Sequence, residues 1–597
     1  MPHPFLRQFC LFLPVCCAIF SISEMASAQN PLLDQDRKIK SRVLENGEGK
    51  FSEPEFGEGL GEKKTDRSAD PTPLGPQVIE IVLLSHQNKA TLSPKITHKG
   101  IDISAGLTAP SNVEEVVTPY LGQPISMLLL AELAKDIVNA WRKSDYPLVD
   151  VYFPEQNITQ GKIQVVIREA LLGKKAVEGA KYSNPDYLVQ QVRIEPGDRI
   201  NRRMVEADLD WLNENPIRRV DLIYQRGERD GTSDILLETR EESPFTVYTG
   251  LANTGIPLTG ENEFSFGANW ANPFRTEQNI GYSHTTSLDW NSLEANSIFY
   301  QNFLPWRHEL RVIGAYVTTD AAVAVTPGTL VGVNGENIQT SVEYRVPLPR
   351  PGWNRKLRQS IQAAWDYKKI NTDLLFGGIN VFANAVEVFQ FRFEYEGIIK
   401  HKNGRTRANI GMVLSPGNVL SNNDDASFAT ARTGSTSDYT YFFGDIERSF
   451  ELPKGFVLKL GGNGQITDDR LTSTEQILGG GYASVRGFDE NLIRADSGLI
   501  GNIELIFPSV SVLNCPDKTG EDHWNLFTFY DAALLHISSP TAGEVSPSLQ
   551  SAGLGFTCRI GKMAMARASY GWNLETHGVP ATRVDDGKFH FGLTVKY

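Results

Sequence analysis

From residue 244 to the C terminus the chain alternates. Segments of about ten to fourteen residues carry apolar and polar side chains in turn, with turn-forming residues between them. Side chains of a strand point to opposite faces, so each segment needs one apolar and one polar environment. Sixteen segments are counted, near 245–255, 262–273, 278–287, 293–304, 308–320, 336–348, 354–370, 385–398, 404–415, 438–451, 455–467, 498–510, 524–538, 548–560, 562–573 and 588–597. An even number with this spacing predicts a transmembrane barrel with both ends on the periplasmic side. The odd-to-even connections are then extracellular. They include long ones, 321–335, 371–384, 416–437 and 468–497, whereas most even-to-odd connections are short, such as "WR", "PKG" and "GK". Long loops at one end and tight turns at the other are the outer-membrane pattern. In the last segment, "KFHFGLTVKY", Phe589, Phe591, Leu593, Val595 and Tyr597 share one face, opposite His590, Gly592, Thr594 and Lys596. A soluble β-sandwich also alternates, but its strands are usually shorter.

The N terminus agrees with export. Arg7, the apolar run "FCLFLPVCCAIF" and "ASA" at 26–28 predict a signal peptide over residues 1–28, cleaved after Ala28. No later stretch reaches the roughly 18 apolar residues that a membrane helix needs. The formal charge is −13, and residues 1–28 hold one Arg and one Glu, so the mature chain keeps it. That balance argues against a nucleic-acid partner. Residues 29–75 are charged and rich in Gly and Pro, and predict a linker with a short helix near "LLDQDRKIKSRVLEN".

Between 76 and 243 the texture is α+β. In 76–169, "VIEIVLL" predicts a strand. "SNVEEVVTPYL" and "SMLLLAELAKDIVNAWRKS" predict helices, with Ser111 as an N-cap. "LVDVYFP" and "KIQVVIRE" predict strands joined by "EQNITQG". In 170–243, "NPDYLVQQVR" and "NRRMVEADLDWLNEN" predict helices, followed by the strands "RRVDLIYQRG" and "DILLETRE" around "ERDGTS".

This order resembles two POTRA domains, the periplasmic polypeptide-handling modules of outer-membrane transporters. "YPLVDVYFPEQNITQGKIQVVIRE" is similar to the first POTRA of two-partner secretion transporters. In the longest loop, Val485-Arg486-Gly487-Phe488 matches the VRG(F/Y) motif of the sixth extracellular loop in POTRA-plus-barrel proteins, and "TEQILGGG" before it is also similar. "FYDAA" at 529–533 resembles the F-x-D-x-G motif, with Ala533 in place of the glycine. "WANPFRTEQNIGYS" resembles the second and third strands. Over 76–597 the chain resembles the haemolysin secretion/activation family, the transporter half of two-partner secretion. The resemblance implies a mainly β fold, a 16-stranded outer-membrane β-barrel preceded by two POTRA domains (76–169 and 170–243), with the barrel over 244–597. It implies a monomeric barrel in outer-membrane lipid, without a cofactor. Its partner would be a secreted exoprotein of haemolysin or adhesin type, recognised unfolded in the periplasm and passed outward without ATP. The strand "LVDVYFP", the helix at 126–144 and Arg202, Arg203, Arg218 and Arg219 are candidates for holding it. A barrel-assembly insertase of the same superfamily and a passive porin are the alternatives. The family often carries a plug helix, from which the Gly-rich, charged 29–75 departs.

Chemistry singles out a pair. A carboxylate in the middle of a membrane strand must face the lumen, which places Asp531 inside. Parity then puts Phe527, Phe529 and Ala533 inside, and Leu526, Thr528, Tyr530, Ala532 and Leu534 toward lipid. A buried cation needs a partner, so Arg486 is expected to reach Asp531 through a charge-assisted, forked hydrogen bond. Gly487 would let the loop tip turn closely, and Phe488 would wedge against Phe527 or Phe529. Cys515 and Cys558 fall near the same barrel end, which leaves a disulfide and two free thiols both open. No GxSxG, HExxH, P-loop or clustered Cys/His spacing points to an enzyme or a metal site. Asp424-Asp425 and Asp585-Asp586 are expected to be solvated loop carboxylates.

Overall fold

The computed structural model describes residues 70–104, 106–146, 148–326, 329–376, 379–512, 522–581 and 584–597, with side chains left aside at 323–331 and 372–384. Two compact units divide between Ser243 and Pro244.

The first unit holds two modules. The first contains strands β1 (Glu80–Leu84) and β2 (Gly100–Ile103), helices α1 (Val113–Val117) and α2 (Met127–Arg142), and strands β3 (Val149–Tyr152) and β4 (Lys162–Glu169). Its sheet runs β2-β1-β4-β3, with β1 parallel to β2 and β4, and β3 antiparallel at the edge. Ser126 caps α2 by accepting from the Leu129 N–H at 3.1 Å. Leu129, Leu133, Ile137 and Ala140 form a stripe one turn apart, which α2 buries with Trp141 against β1 and β4. Each large aliphatic chain so buried contributes about 1.5–3 kcal/mol. Ser111 is not the cap of α1: that helix starts at Val113, and Asn112 precedes it without a side-chain cap bond. The four-residue β2 was missed because its residues are only half-buried and show no strong alternation.

The second module comprises β5 (Leu171–Glu178), α3 (Pro185–Gln191), α4 (Arg202–Leu212), β6 (Arg218–Arg226) and β7 (Thr232–Glu241), in the sheet order β5-β7-β6. Ion pairs join the modules: Arg199 Nη1 lies 2.8 Å from Glu169 Oε2, and Arg203 Nη2 lies 3.2 Å from Asp145 Oδ2.

The second unit is a closed antiparallel barrel. Its strands are β8 (Phe245–Ala252), β9 (Glu263–Ala271), β10 (Gln278–Ser287), β11 (Leu293–Phe303), β12 (Glu309–Thr326), β13 (Thr329–Leu348), β14 (Leu357–Phe376), β15 (Ile379–His401), β16 (Gly404–Pro416) and β17 (Asp438–Glu451). They continue with β18 (Val457–Ile466), β21 (Ser497–Ile506), β22 (Asp522–His536), β23 (Ser548–Ile560), β24 (Ala564–His577) and β25 (Gly587–Lys596). A short ribbon, β19 (Ile477–Gly479) with β20 (Ile493–Ala495), lies in the connection from β18 to β21. Barrel closure pairs β25 with β8, from Gly592↔Ala252 to Lys596↔Tyr248. Beyond Ala252 the Asn253 side chain carries the seam on, donating to Phe589 O and accepting from Phe591 N, both at 2.7 Å.

Alternation sorts the faces. On β22, Leu526 and Leu534 are about 60% exposed outward (59% and 61%), whereas Asp531 is fully buried. Three expectations change. The connections expected at 321–335 and 371–384 are mostly strand, because β12–β13 and β14–β15 continue pairing to Thr326↔Thr329 and Phe376↔Ile379. The barrel also holds a helix, α5 (Asp425–Ala431), between β16 and β17. Asp424 and Asp425 are not simply solvated: Asp424 caps α5 through Ser427 N at 2.7 Å, and Asp425 accepts from Ser437 N and Oγ at 2.9 Å.

One ionic contact in the first module tests the packing directly. Lys162 Nζ lies 2.9 Å from Glu80 Oε1, and Thr97 donates to the same carboxylate through its N–H at 2.9 Å and its hydroxyl at 2.6 Å. Burial alone would raise the Glu80 carboxyl, but the Thr97 hydrogen bonds and the Lys162 charge hold it below its ordinary value. Its contribution to stability is therefore present above the usual glutamate range and is lost as pH falls through the folded value. Lys162→Met leaves a buried carboxylate unpaired and should cost about 3 kcal/mol. Hydrogen exchange at β1 in the whole protein should speed up near neutral pH, and the difference from wild type should shrink once Glu80 is protonated in both states.

Candidate functional site

The connection 467–496 is a hairpin folded against the inside of the barrel. Gly480 and Gly481, with φ of +103° and +96°, turn the chain after β19. Ile477, Val485, Phe488, Leu492 and Ile493 form one apolar cluster with the wall residues Ile500, Ala533 and Leu549. Hydrophobic burial thus holds the broad face of the hairpin, and a polar contact sets its position.

That contact centres on Arg486. Its Nε donates to Asp531 Oδ2 at 2.8 Å and its Nη2 to Asp531 Oδ1 at 2.9 Å, while its backbone N–H reaches Oδ2 at 3.1 Å. Nη1 donates to Glu504 Oε2 on β21 at 2.7 Å. The guanidinium lies 3.6 Å from the Phe529 ring centroid and 5.6 Å from that of Phe527. Asn502 Nδ2 bridges Asp531 Oδ1 at 2.8 Å and Ser484 O at 2.6 Å. Arg486 is 6% exposed and Asp531 0%. Bringing such a pair out of water gains little net free energy, whereas deleting one partner costs about 3–5 kcal/mol. The pair therefore specifies where the hairpin sits more than it adds stability.

Glycines make the approach possible. Gly487 has φ +94°, and its N–H donates to His590 Nε2 on β25 at 3.2 Å. A Cβ there would stand 2.8 Å from Gly571 O on β24, and one on Gly571 would stand 2.7 Å from Gly487 Cα. Across the ladder from Phe529 and Phe527 lie Gly553 and Gly555. Cβ atoms there would meet the ring tips at 2.4 and 2.5 Å, so the rings lie over bare backbone.

The structure thus brings Val485, Arg486, Gly487, Asp531, Phe527 and Phe529 to one place. Phe488 does not wedge against Phe527 or Phe529. It belongs to the apolar cluster with Ile477 and Leu492. The guanidinium takes the aromatic faces instead, a position that favours a desolvated cation. Glu504, Asn502, His590 and Gly571 were missed by sequence reasoning. Asn502 and Glu504 had a signal, since they are the polar members of the inward face of β21, directly opposite Asp531 and Phe529. Cys558 is buried on β23, and Cys515, with the proposed pairing, lies outside the described residues. Among the described residues no group of three or more His, Cys, Asp or Glu is placed to hold a metal.

The base of the hairpin has its own anchor. The fully buried Asp496 carboxylate pairs with Arg432, whose Nη2 donates to Oδ2 at 3.0 Å. It also accepts from Leu471 N and Ser538 N, both at 2.9 Å, and from Gln476 Nε2 at 3.3 Å. Arg432 closes the segment that carries α5, and Ser538 follows β22.

The family model of the haemolysin secretion/activation proteins ShlB/FhaC/HecB matches residues 231–557, more than half of the chain. The chain belongs to the haemolysin secretion/activation family. The ShlB-type POTRA domain model matches residues 98–170. The chain is 20% identical over 422 residues to the heme/hemopexin transporter protein HuxB of Haemophilus influenzae, covering 65% of this chain and 69% of that protein. It is 22% identical over 222 residues to the outer membrane transporter CdiB of Escherichia coli, covering 37% and 38%. Among solved structures, CdiB from Escherichia coli matches with a TM-score of 0.72 and 17% identity over 96% of this chain and 98% of that one. CdiB from Acinetobacter baumannii gives 0.64 and 17% over 96% and 99%. This family member is an outer-membrane transporter of the two-partner secretion type, with its POTRA domains in the periplasm. The barrel end that holds Phe245 and Tyr597 is then periplasmic, and 467–496 is the sixth extracellular loop, folded inward.

Gly487→Ala tests the close approach. A left-handed φ costs an L-residue about 1–2 kcal/mol, and the methyl meets Gly571. The tip should lift from β24, and trypsin should cut this loop in the folded barrel about tenfold faster than in wild type, at this order of free energy. Unchanged cleavage would contradict the packing described.

Proposed function

We propose that this protein secretes a single large exoprotein, of haemolysin or adhesin type, through its barrel. The client is held unfolded in the periplasm by the POTRA domains and passes outward without ATP, with its folding outside giving direction. The seven residues Val485 to Phe488, Asp531, Phe527 and Phe529 form the gate. The observation that carries this reading is a lumen hairpin whose tip is seated on the barrel wall by the Arg486–Asp531 contact, in a chain whose N-terminal modules handle polypeptide in this family. A pore for an unfolded chain has to be closed at rest and opened by displacement. A hairpin positioned by Arg486 meets both needs, because hydrogen bonds to charged groups contribute only about 1.5–3 kcal/mol each.

For client capture, β3 offers the sheet edge of the first module, to which an extended segment can add a strand. The arginines proposed to help divide. Arg218 is buried and donates to Leu212 O at 2.8 Å and to Ser183 Oγ at 3.1 Å, so it supports the second module from within. Arg202 pairs with Glu206 at 2.7 Å, and Arg219 Nε lies 3.7 Å from Asp221.

Co-expression with a candidate exoprotein of this type tests the reading. Secretion of that one client, lost in Arg486→Ala while other barrel proteins stay at normal levels, is the expected outcome. Loss of many barrel proteins on deletion would instead support an insertase, and client-independent solute flux a porin.

A further inference from the structure

The sixth loop is held at two levels by different partners. At the tip, Arg486 and Gly487 touch the inner wall, through Asp531, Glu504, His590 and Gly571. At the base, the partners are other extracellular segments and, for Glu475, the wall strands β14 and β17. Asp496 takes Arg432 from the fifth loop and Ser538 from the connection after β22. Arg470 donates to Thr433 O at 2.7 Å and to Ser539 O at 3.1 Å, and pairs with Glu544 at 2.6 Å. Glu475 accepts from Tyr441 at 3.0 Å and pairs with Lys368 at 2.5 Å. A chain rising from the periplasm meets the tip before the base.

We propose that Asp496 and Arg432 are positioning residues that pin the base of the sixth loop to the fifth, so that the pore opens by a swing of the tip around 479–493 about a fixed base. The two anchors then act on different steps. Tip contacts exist only when the pore is closed, so losing them speeds opening. Base contacts persist in both states and keep the released tip near its seat. Losing them leaves the open state with more loop conformations, and this slows return. The inference deepens the transporter reading and rests on it, but pore kinetics need no client.

Single pores in planar bilayers supply the test. Arg486→Gln should raise the opening rate. Arg432→Gln should leave the opening rate near wild type and lower the closing rate about tenfold, the scale of one lost charge-assisted contact, and Arg432→Lys should restore part of it. If Arg432→Gln speeds opening as Arg486→Gln does, the base leaves with the tip and the proposal fails. Unchanged kinetics would leave the base contacts merely structural and overturn it equally. A second variant does not depend on weakening the base. A Cβ at Gly479 would stand 3.5 Å from Ala533 Cβ, within the usual disulfide separation of about 3.5–4.5 Å, and 2.9 Å from Ile493 Cγ1, a side chain that has to shift to admit it. With Cys515 and Cys558 changed to Ser, Gly479→Cys/Ala533→Cys should stay closed when oxidised and open after reduction. Oxidised pores that still open would show that the tip does not swing. Normal gating without client secretion would count against the proposed function and leave this inference standing.

Discussion

A guanidinium buried inside a barrel has to find anions or leave. In this protein Arg486 finds two, Asp531 across a fork and Glu504 beside it, and covers the Phe529 ring. The rest of the arrangement follows from that requirement. Asp531 is tolerated in a membrane strand only because it faces the lumen and meets a cation. Gly487 and Gly571 are bare because the hairpin backbone has to lie against β24 for the side chain to reach. Gly553 and Gly555 are bare because the two phenyl rings flanking the cation occupy their space. The apolar face of the hairpin supplies burial, and the ion pair selects the register at which that burial occurs.

Much of this was legible in the sequence, for a physical reason. Each membrane strand separates lipid from lumen, so the two-residue period is enforced along its whole length. The period places Asp531 inside and Leu526 and Leu534 outside without any structure. The sixth loop was legible through its motif and its length. What was not legible lay where that constraint weakens. At the extracellular end, β12–β13 and β14–β15 keep pairing to Thr326↔Thr329 and Phe376↔Ile379, through stretches whose sequence does not alternate cleanly. The helix α5 is seven residues, about two turns, stabilised by its Asp424 cap and by Phe428 packing, a tertiary effect. Phe488 was placed by proximity to the arginine, but a left-handed Gly487 redirects the chain, and a cation competes with a phenyl ring for the same aromatic faces. Arg218 read as an exposed basic residue, yet it closes the second module from inside.

The two levels of attachment also reconcile stability with movement. The hairpin shares an apolar cluster with the wall, and its base is tied into neighbouring extracellular segments, so it is well ordered. Yet the element that blocks the lumen depends on contacts with polar donors and acceptors, for which water and an arriving chain can substitute. A gate built wholly of apolar packing would resist displacement; one built wholly of exposed ion pairs would leak. In the first unit the same rule operates at smaller scale, where Lys162 matters chiefly because Glu80 is buried beside it.

The most direct test of the central interaction is a double-variant cycle on the thermal midpoint of the folded barrel, with Arg486→Gln, Asp531→Asn and the two combined. If one contact positions the hairpin, each single variant leaves a buried charge short of its partner and lowers the midpoint. The combined variant, a neutral amide pair, should then lose no more than the worse single one. Losses that simply add would show that Arg486 and Asp531 act independently and would contradict the account.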